Sequence, residues 1–148
     1  MGTCEFAAIG WLITLMAVIY TNQKADNRET RKEVRGKVDQ LADTLMLLNN
    51  TATEYYMDKN RSSSMQEIKI HESFNICIRI IENLYLADKS IGIQENFDNL
   101  FELITSGDFE SKNLIPGEHN KDLCKDFVLE KEKLIRNLEQ WFSKKFQK

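Results

Sequence analysis

From residue 6 to residue 20 the chain reads FAAIGWLITLMAVIY, and Thr21, Asn22 and Gln23 extend this uncharged run to 18 residues. A helix that is apolar on every side must be buried, either in lipid or inside a large domain. At 1.5 Å per residue such a helix is about 27 Å long, close to the hydrocarbon thickness of a thin bacterial membrane. A cleaved signal peptide would want a basic n-region and a small-x-small cleavage site. The opening MGTCE has neither Lys nor Arg, and IYTNQ is not such a site. A buried core helix at the extreme terminus would need a large domain around it. The run therefore predicts a transmembrane segment over residues 1–23.

Its flanks predict an orientation. Ahead of the run lie only the amino group and Glu5, whereas Lys24, Arg28, Arg31, Lys32, Arg35 and Lys37 follow it. Against Asp26, Glu29 and Glu33 these six leave +3 over residues 24–37. Positive charge stays inside, so the expectation is a single-pass protein of the inner (cell) membrane, N-terminus out, with the remainder cytoplasmic and lipid as its first partner. From Val38 onward 14 basic residues face 19 acidic ones, leaving −5. An acidic domain does not wrap long nucleic acid, though a local pocket can still take a small phosphorylated ligand. Cys4, Cys77 and Cys124 are odd in number and far apart, which gives no disulfide framework and, in a cytosolic domain, reduced thiols.

Within the run, Ala7, Gly10, Thr14, Ala17 and Thr21 recur at spacings of 3, 4, 3 and 4 and share one helix stripe. Small stripes let helix backbones approach closely in lipid, so this face predicts homo-oligomers. The competing account is that apolar segments contain small residues anyway and align some of them by chance.

Beyond the run the chain is thinly punctuated, with one Pro and six Gly in all 148 residues, which favours helices over many short strands. Val34, Val38, Leu41, Leu45 and Leu48 repeat at 4, 3, 4, 3, marking an amphipathic juxtamembrane helix over residues 24–50 with a coiled-coil-like seam. Only Gly36 weakens its continuity with the apolar run. Residues 51–148 read as a cytoplasmic helical domain. Thr51 to Glu54 forms a capping box, 58–64 a loop, and Ser64 to Glu67 a second capping box that opens a helix to about 86. That helix turns Ile70, Phe74, Cys77, Ile81 and Leu84 inward. A helix over 93–104 turns Phe97, Leu100, Phe101 and Ile104 inward and is stopped by Thr105-Ser106-Gly107. Residues 108–120, with Pro116-Gly117, are irregular, and a last helix over 121–146 buries Phe127, Leu134, Leu138 and Trp141. Lys144, Lys145 and Lys148 suit its C-terminal end. The predicted fold class is all-α: one N-terminal transmembrane helix followed by a four- to five-helix cytoplasmic bundle.

Catalytic chemistry finds little footing. His71 and His119 belong to no nucleophile or metal motif, and with Cys77 and Cys124 they match no zinc spacing. Cys77 falls on an apolar face and reads as a structural thiol. Glu130 and Glu132 alternate with Lys131 and Lys133 as a solvated helix surface. The expectation is no enzyme, no metal and no cofactor. The most chemical segment is Lys59-Asn60-Arg61-Ser62-Ser63-Ser64, two cations and three hydroxyls ahead of a helix N-terminus. Free amides and the helix dipole attract anions there. With Lys69, His71, Asn75 and Arg79 further along, Lys59, Arg61, Ser62, Ser63, Lys69, Asn75 and Arg79 form the candidate site for a phosphate or small nucleotide. The competing account is that polar loops are rich in such residues, that capping explains Ser64, and that phosphate loops usually carry glycine. Trp141, Phe142 and Phe146 among the terminal lysines suit a membrane surface, but core packing is the better account of them.

The run Leu103-Ile-Thr-Ser-Gly107-Asp108-Phe109-Glu110-Ser111, followed by a closing amphipathic helix, is similar to small bacterial proteins with one N-terminal span and a helical tail. It covers about the last third of the chain and implies no activity. The layout as a whole resembles membrane effectors of prokaryotic antiviral defence, among them a CRISPR-associated type whose cytoplasmic domain binds a cyclic oligoadenylate. That resemblance implies an oligomeric membrane effector that senses a small anionic signal and perturbs the membrane. The alternative is a membrane-anchored adaptor that docks a protein partner and needs no ligand.

Overall fold

The computed structural model describes residues 3–58, 63–106, 109–111 and 114–146, with side chains from Thr14 onward apart from Ser63. Described residues form four α-helices and a 3₁₀ turn: α1 Thr3–Met57, α2 Ser63–Ala87, α3 Gln94–Thr105, the turn Glu118–Asn120, and α4 Lys121–Phe146. The all-α, bundle-like expectation agrees with this. The chain divides into two compact units, Met1–Arg35 and Gly36–Lys148.

The first unit corrects the membrane reading. Among the described residues no helix is long and apolar enough to cross a membrane. The helix that carries the uncharged run, α1, does not meet that requirement among the described residues. Polar Thr21, Asn22 and Gln23 close that stretch, and charged Lys24 and Asp26 follow. The transmembrane helix therefore loses its support. So do the single-pass inner-membrane placement and the N-out orientation. Of the small-residue stripe, Ala7 and Gly10 lie outside the described side chains. Thr14, Ala17 and Thr21 are exposed, and the Thr21 hydroxyl donates back to the Ala17 carbonyl at 2.7 Å, a bond within the helix.

In the second unit the heptad stripe packs as its spacing predicts. Val38, Leu41, Leu45 and Leu48 are fully buried. The stripe does not stop at residue 50: Ala52 and Tyr55 continue it, also fully buried. Thr51 caps nothing, because its hydroxyl donates to the Leu47 carbonyl at 2.9 Å as a mid-helix residue. The expected boundary at 50/51 thus falls inside α1, and Gly36 lies within the helix without breaking it.

The two tyrosines that end this stripe place the other elements. The Tyr56 phenol is buried and donates to the Ile104 carbonyl, at the end of α3, at 2.7 Å. The Tyr56 carbonyl, left over at the end of α1, accepts from the Gly117 amide at 3.1 Å and from Asn120 Nδ2 at 2.9 Å. Gly117 sits at φ 148°, where a Cβ is not tolerated. Tyr55 donates to Glu67 of α2 and accepts the Glu110 amide, each at 3.0 Å.

On α2 the inward set Ile70, Phe74, Cys77, Ile81 and Leu84 is buried, and on α4 so are Phe127, Leu134, Leu138 and Trp141. On α3, Phe97, Leu100 and Ile104 are buried, but Phe101 is 39% exposed. It sits at the edge of the apolar arc and meets Phe74 edge-on at 4.8 Å between ring centroids instead of entering the core. Tyr56→Phe keeps the ring but leaves the Ile104 carbonyl buried without its donor. The expected loss is about 1–3 kcal/mol, read as a lower urea midpoint at unchanged m-value. An unchanged midpoint would show that the bond to α3 does not hold the unit together.

Candidate functional site

The expected anion site is not brought together by the described residues. Lys59, Arg61 and Ser62 lie outside them. Ser63 opens α2, and its side chain is not described. Lys69, Asn75 and Arg79 are exposed on α2, and the Arg79 Nε donates to its own helix at the Asn75 carbonyl, 3.3 Å away. None of the three lines either cleft described below. His71 faces the 109–111 segment: its Nε2 lies 2.5 Å from Glu110 Oε1, and its ring meets Phe109 edge-on at 5.6 Å. Glu110 holds this position at φ 60°, a left-handed conformation that costs about 1 kcal/mol or more in a residue with a side chain.

The described thiols, Cys77 and Cys124, are packing groups; Cys4 lies outside the described side chains. Cys77 is buried, and burial pushes its pKa up to about 12, far from a reactive thiolate at neutral pH. Burial raises Cys124 as well, against a hydrogen bond from Thr53 that lowers it. Among the described residues no three His, Cys, Asp or Glu side chains are grouped to hold a metal.

Two concave features stand out in the second unit. The first is a groove of about 370 Å³ between α2 and α3. Ile78, Ile81 and Tyr85 line it from α2, Phe97 and Phe101 from α3, with Glu82, Gln94 and Asp98 around them. The turn over 88–93 joins α2 to α3, and Phe74, well before that turn, meets Phe101, well after it, so one end of the groove lies between Ile78 and Phe101 and the other between Tyr85 and Gln94. Ile81 and Phe97 form a buried floor, while Ile78, Tyr85 and Phe101 are 37%, 41% and 39% exposed. Both charged residues of the lining are acidic.

The second is a polar cleft of about 380 Å³ where the α2–α3 turn meets the end of α4. Asp88 organises it. One carboxylate oxygen accepts from the Ser90 amide at 2.9 Å and the Ser90 hydroxyl at 2.7 Å. The other accepts from Trp141 Nε1 at 3.1 Å and Lys145 Nζ at 3.0 Å. The two Ser90 bonds, then Lys145 and Trp141, hold the Asp88 carboxyl well below the usual carboxylate range, against a smaller opposing effect of burial. Lys145 also donates to the Ala87 carbonyl at 3.3 Å and sits over the Trp141 ring, 5.4 Å from its centroid. Asn137, Gln140 and Lys144 complete the α4 side. Read from sequence, Lys144 and Lys145 are simple helix-end charges. Nothing in the spacing shows that Lys145 reaches back across the fold to residue 88.

No family model, curated protein or solved structure matches the chain significantly, so its chemistry has to be read from these surfaces.

Asp88 has a measurable signature. Its folded-state pKa lies below its unfolded value near 3.9, so its contribution is present above about pH 4 and disappears as pH falls through the lower folded-state value. Asp88→Asn is expected to unfold at a lower temperature than the parent at pH 6 and to converge with it toward pH 2. Parallel melting curves across that range would contradict the assignment.

Proposed function

We propose that the chain is a non-enzymatic adaptor whose second unit docks an amphipathic, basic-flanked helix of a protein partner in the α2–α3 groove. The observation that carries this reading is the combination of exposed apolar lips, Ile78, Tyr85 and Phe101, with a wholly acidic charged lining, Glu82 and Asp98. A groove between two antiparallel helices accepts a third helix by the same ridge-into-groove packing that builds bundles. Half-exposed aromatic and branched side chains in a concave setting are the usual anchors of such contacts. Covering them removes apolar surface from water at about 25 cal/mol per Å². Carboxylates beside that floor select the partner's charge and speed encounter more than they add affinity. No catalytic step is needed, and the buried, high-pKa Cys77 offers no nucleophile.

The test uses two helical peptides with the same apolar face, one flanked by Lys and Arg, the other by Glu. The basic peptide is expected to bind by fluorescence anisotropy and to weaken with salt. Combined Ile78→Ser and Tyr85→Ser changes should weaken it by about tenfold or more while the circular dichroism stays helical. Glu82→Lys with Asp98→Lys should invert the preference. Equal binding of both peptides, or binding indifferent to these substitutions, would overturn the reading.

A further inference from the structure

Apart from the groove, we infer that the polar cleft at the α2–α3 turn is a binding site for a small phosphate-bearing anion, with Lys144 and Lys145 as its cations. The cleft is of small-molecule size, about 380 Å³. Its charged lining is one carboxylate and two ammonium groups, and the carboxylate is already engaged by four donor contacts. A metal ion would find no open carboxylate oxygen there. An anion finds the reverse situation. Lys145 carries three N–H donors, of which Asp88 and the Ala87 carbonyl take two. Contacts with Asp88 and with the Trp141 and Phe146 rings fix its ammonium in place. Lys144 is exposed and has no ion-pair partner among the described residues.

Lys144, in the last turn of α4 like Lys145, suits the helix C-terminus, and it also lines the concavity beside it. The other polar lining groups, Asn137, Gln140 and Ser90, suit the oxygens of an anion. No arginine lines the cleft, and its cations are Lys144 and Lys145. Lysines act as point charges, which suits a tetrahedral phosphate group approached from several sides. The −5 balance over residues 38–148 argues against a long polyanion.

Trp141 lines the cleft, and the only other tryptophan is Trp11, so full-length Trp11→Phe protein carries a built-in reporter. Inorganic pyrophosphate, titrated at constant ionic strength, is expected to give a saturable change in Trp141 fluorescence. AMP under the same conditions shows whether a nucleoside carrying the phosphate is preferred. Lys144→Ala should weaken either ligand by about tenfold without moving the melting temperature, and Lys144→Arg should largely restore binding. Phosphorus NMR line broadening on the unsubstituted chain gives the same answer without Trp11→Phe. A response that never saturates, that sodium chloride reproduces, or that survives Lys144→Ala would overturn the inference.

Discussion

Tyr55 and Tyr56 close the last turns of α1, their rings edge-on at 5.2 Å, and the second unit is assembled around them. A helix end normally leaves carbonyls unpaired. Here the Tyr56 carbonyl is taken up by the Gly117 amide and Asn120, which ties the irregular segment before α4 to the end of α1. The Tyr56 phenol reaches the last turn of α3, and its ring packs against Phe127 of α4 at 5.5 Å. Tyr55 meets α2 through Glu67 and the 109–111 segment through the Glu110 amide. Buried phenols are tolerated only when their hydroxyls are bonded, so these two side chains specify where their partners lie as well as filling space.

Given that anchor, the groove and the cleft follow from how α2 and α3 are held. The C-terminal end of α3 is fixed by Tyr56. At the opposite end, the α2–α3 turn is fixed by Asp88, which binds Ser90 within the turn and Trp141 and Lys145 on α4. Between those ends Phe74 sits edge-on to both Phe97 and Phe101, at 5.9 and 4.8 Å. Three rings in T-shaped contact keep the helices apart by more than aliphatic interdigitation would. The concavity above Ile81 and Phe97 is thus a product of bulky rings between two helices that cannot slide together.

What the sequence made legible was periodicity. The inward faces of α2 and α4 appear in the 3.6-residue pattern because each helix buries one broad stripe, and the expected span of α4 matches Lys121–Phe146. Phe101 was misread because i, i+3, i+4, i+7 spacing marks an arc without saying which residue lies at its edge. Thr51 was misread because a Thr three residues before a Glu looks like a cap wherever it occurs, whereas the continuing Leu48, Ala52 and Tyr55 stripe decides that the helix goes on. The apolar run was read by length and charge, but among the described residues no helix is long and apolar enough to cross a membrane. The cleft lay beyond any spacing argument: Asp88 and Lys145 are 57 residues apart and meet only because Tyr56 and the aromatic layer set where α4 lies. Of the expected anion site, Lys69, Asn75 and Arg79 are exposed on α2 and line neither the groove nor the cleft, while Lys59, Arg61 and Ser62 lie outside the described residues.

The two proposed sites carry opposite charge and share the α2–α3 turn, and this bears on how a partner helix would lie. The groove runs from the Ile78 and Phe101 end to the Tyr85 and Gln94 end, and Asp88 to Gly92 of the cleft lie between Tyr85 and Gln94 in the chain. A basic-flanked helix in the groove meets Glu82 and Asp98 along its length and approaches Lys144 and Lys145 at the turn end. The partner's basic flank meets like charge at Lys144 and Lys145, so the lysines favour a docked helix whose less basic end points at the turn. An anion held in the cleft neutralises those lysines and removes the preference without touching the apolar floor. On this reading the groove decides whether a helix binds, and the cleft decides which way round.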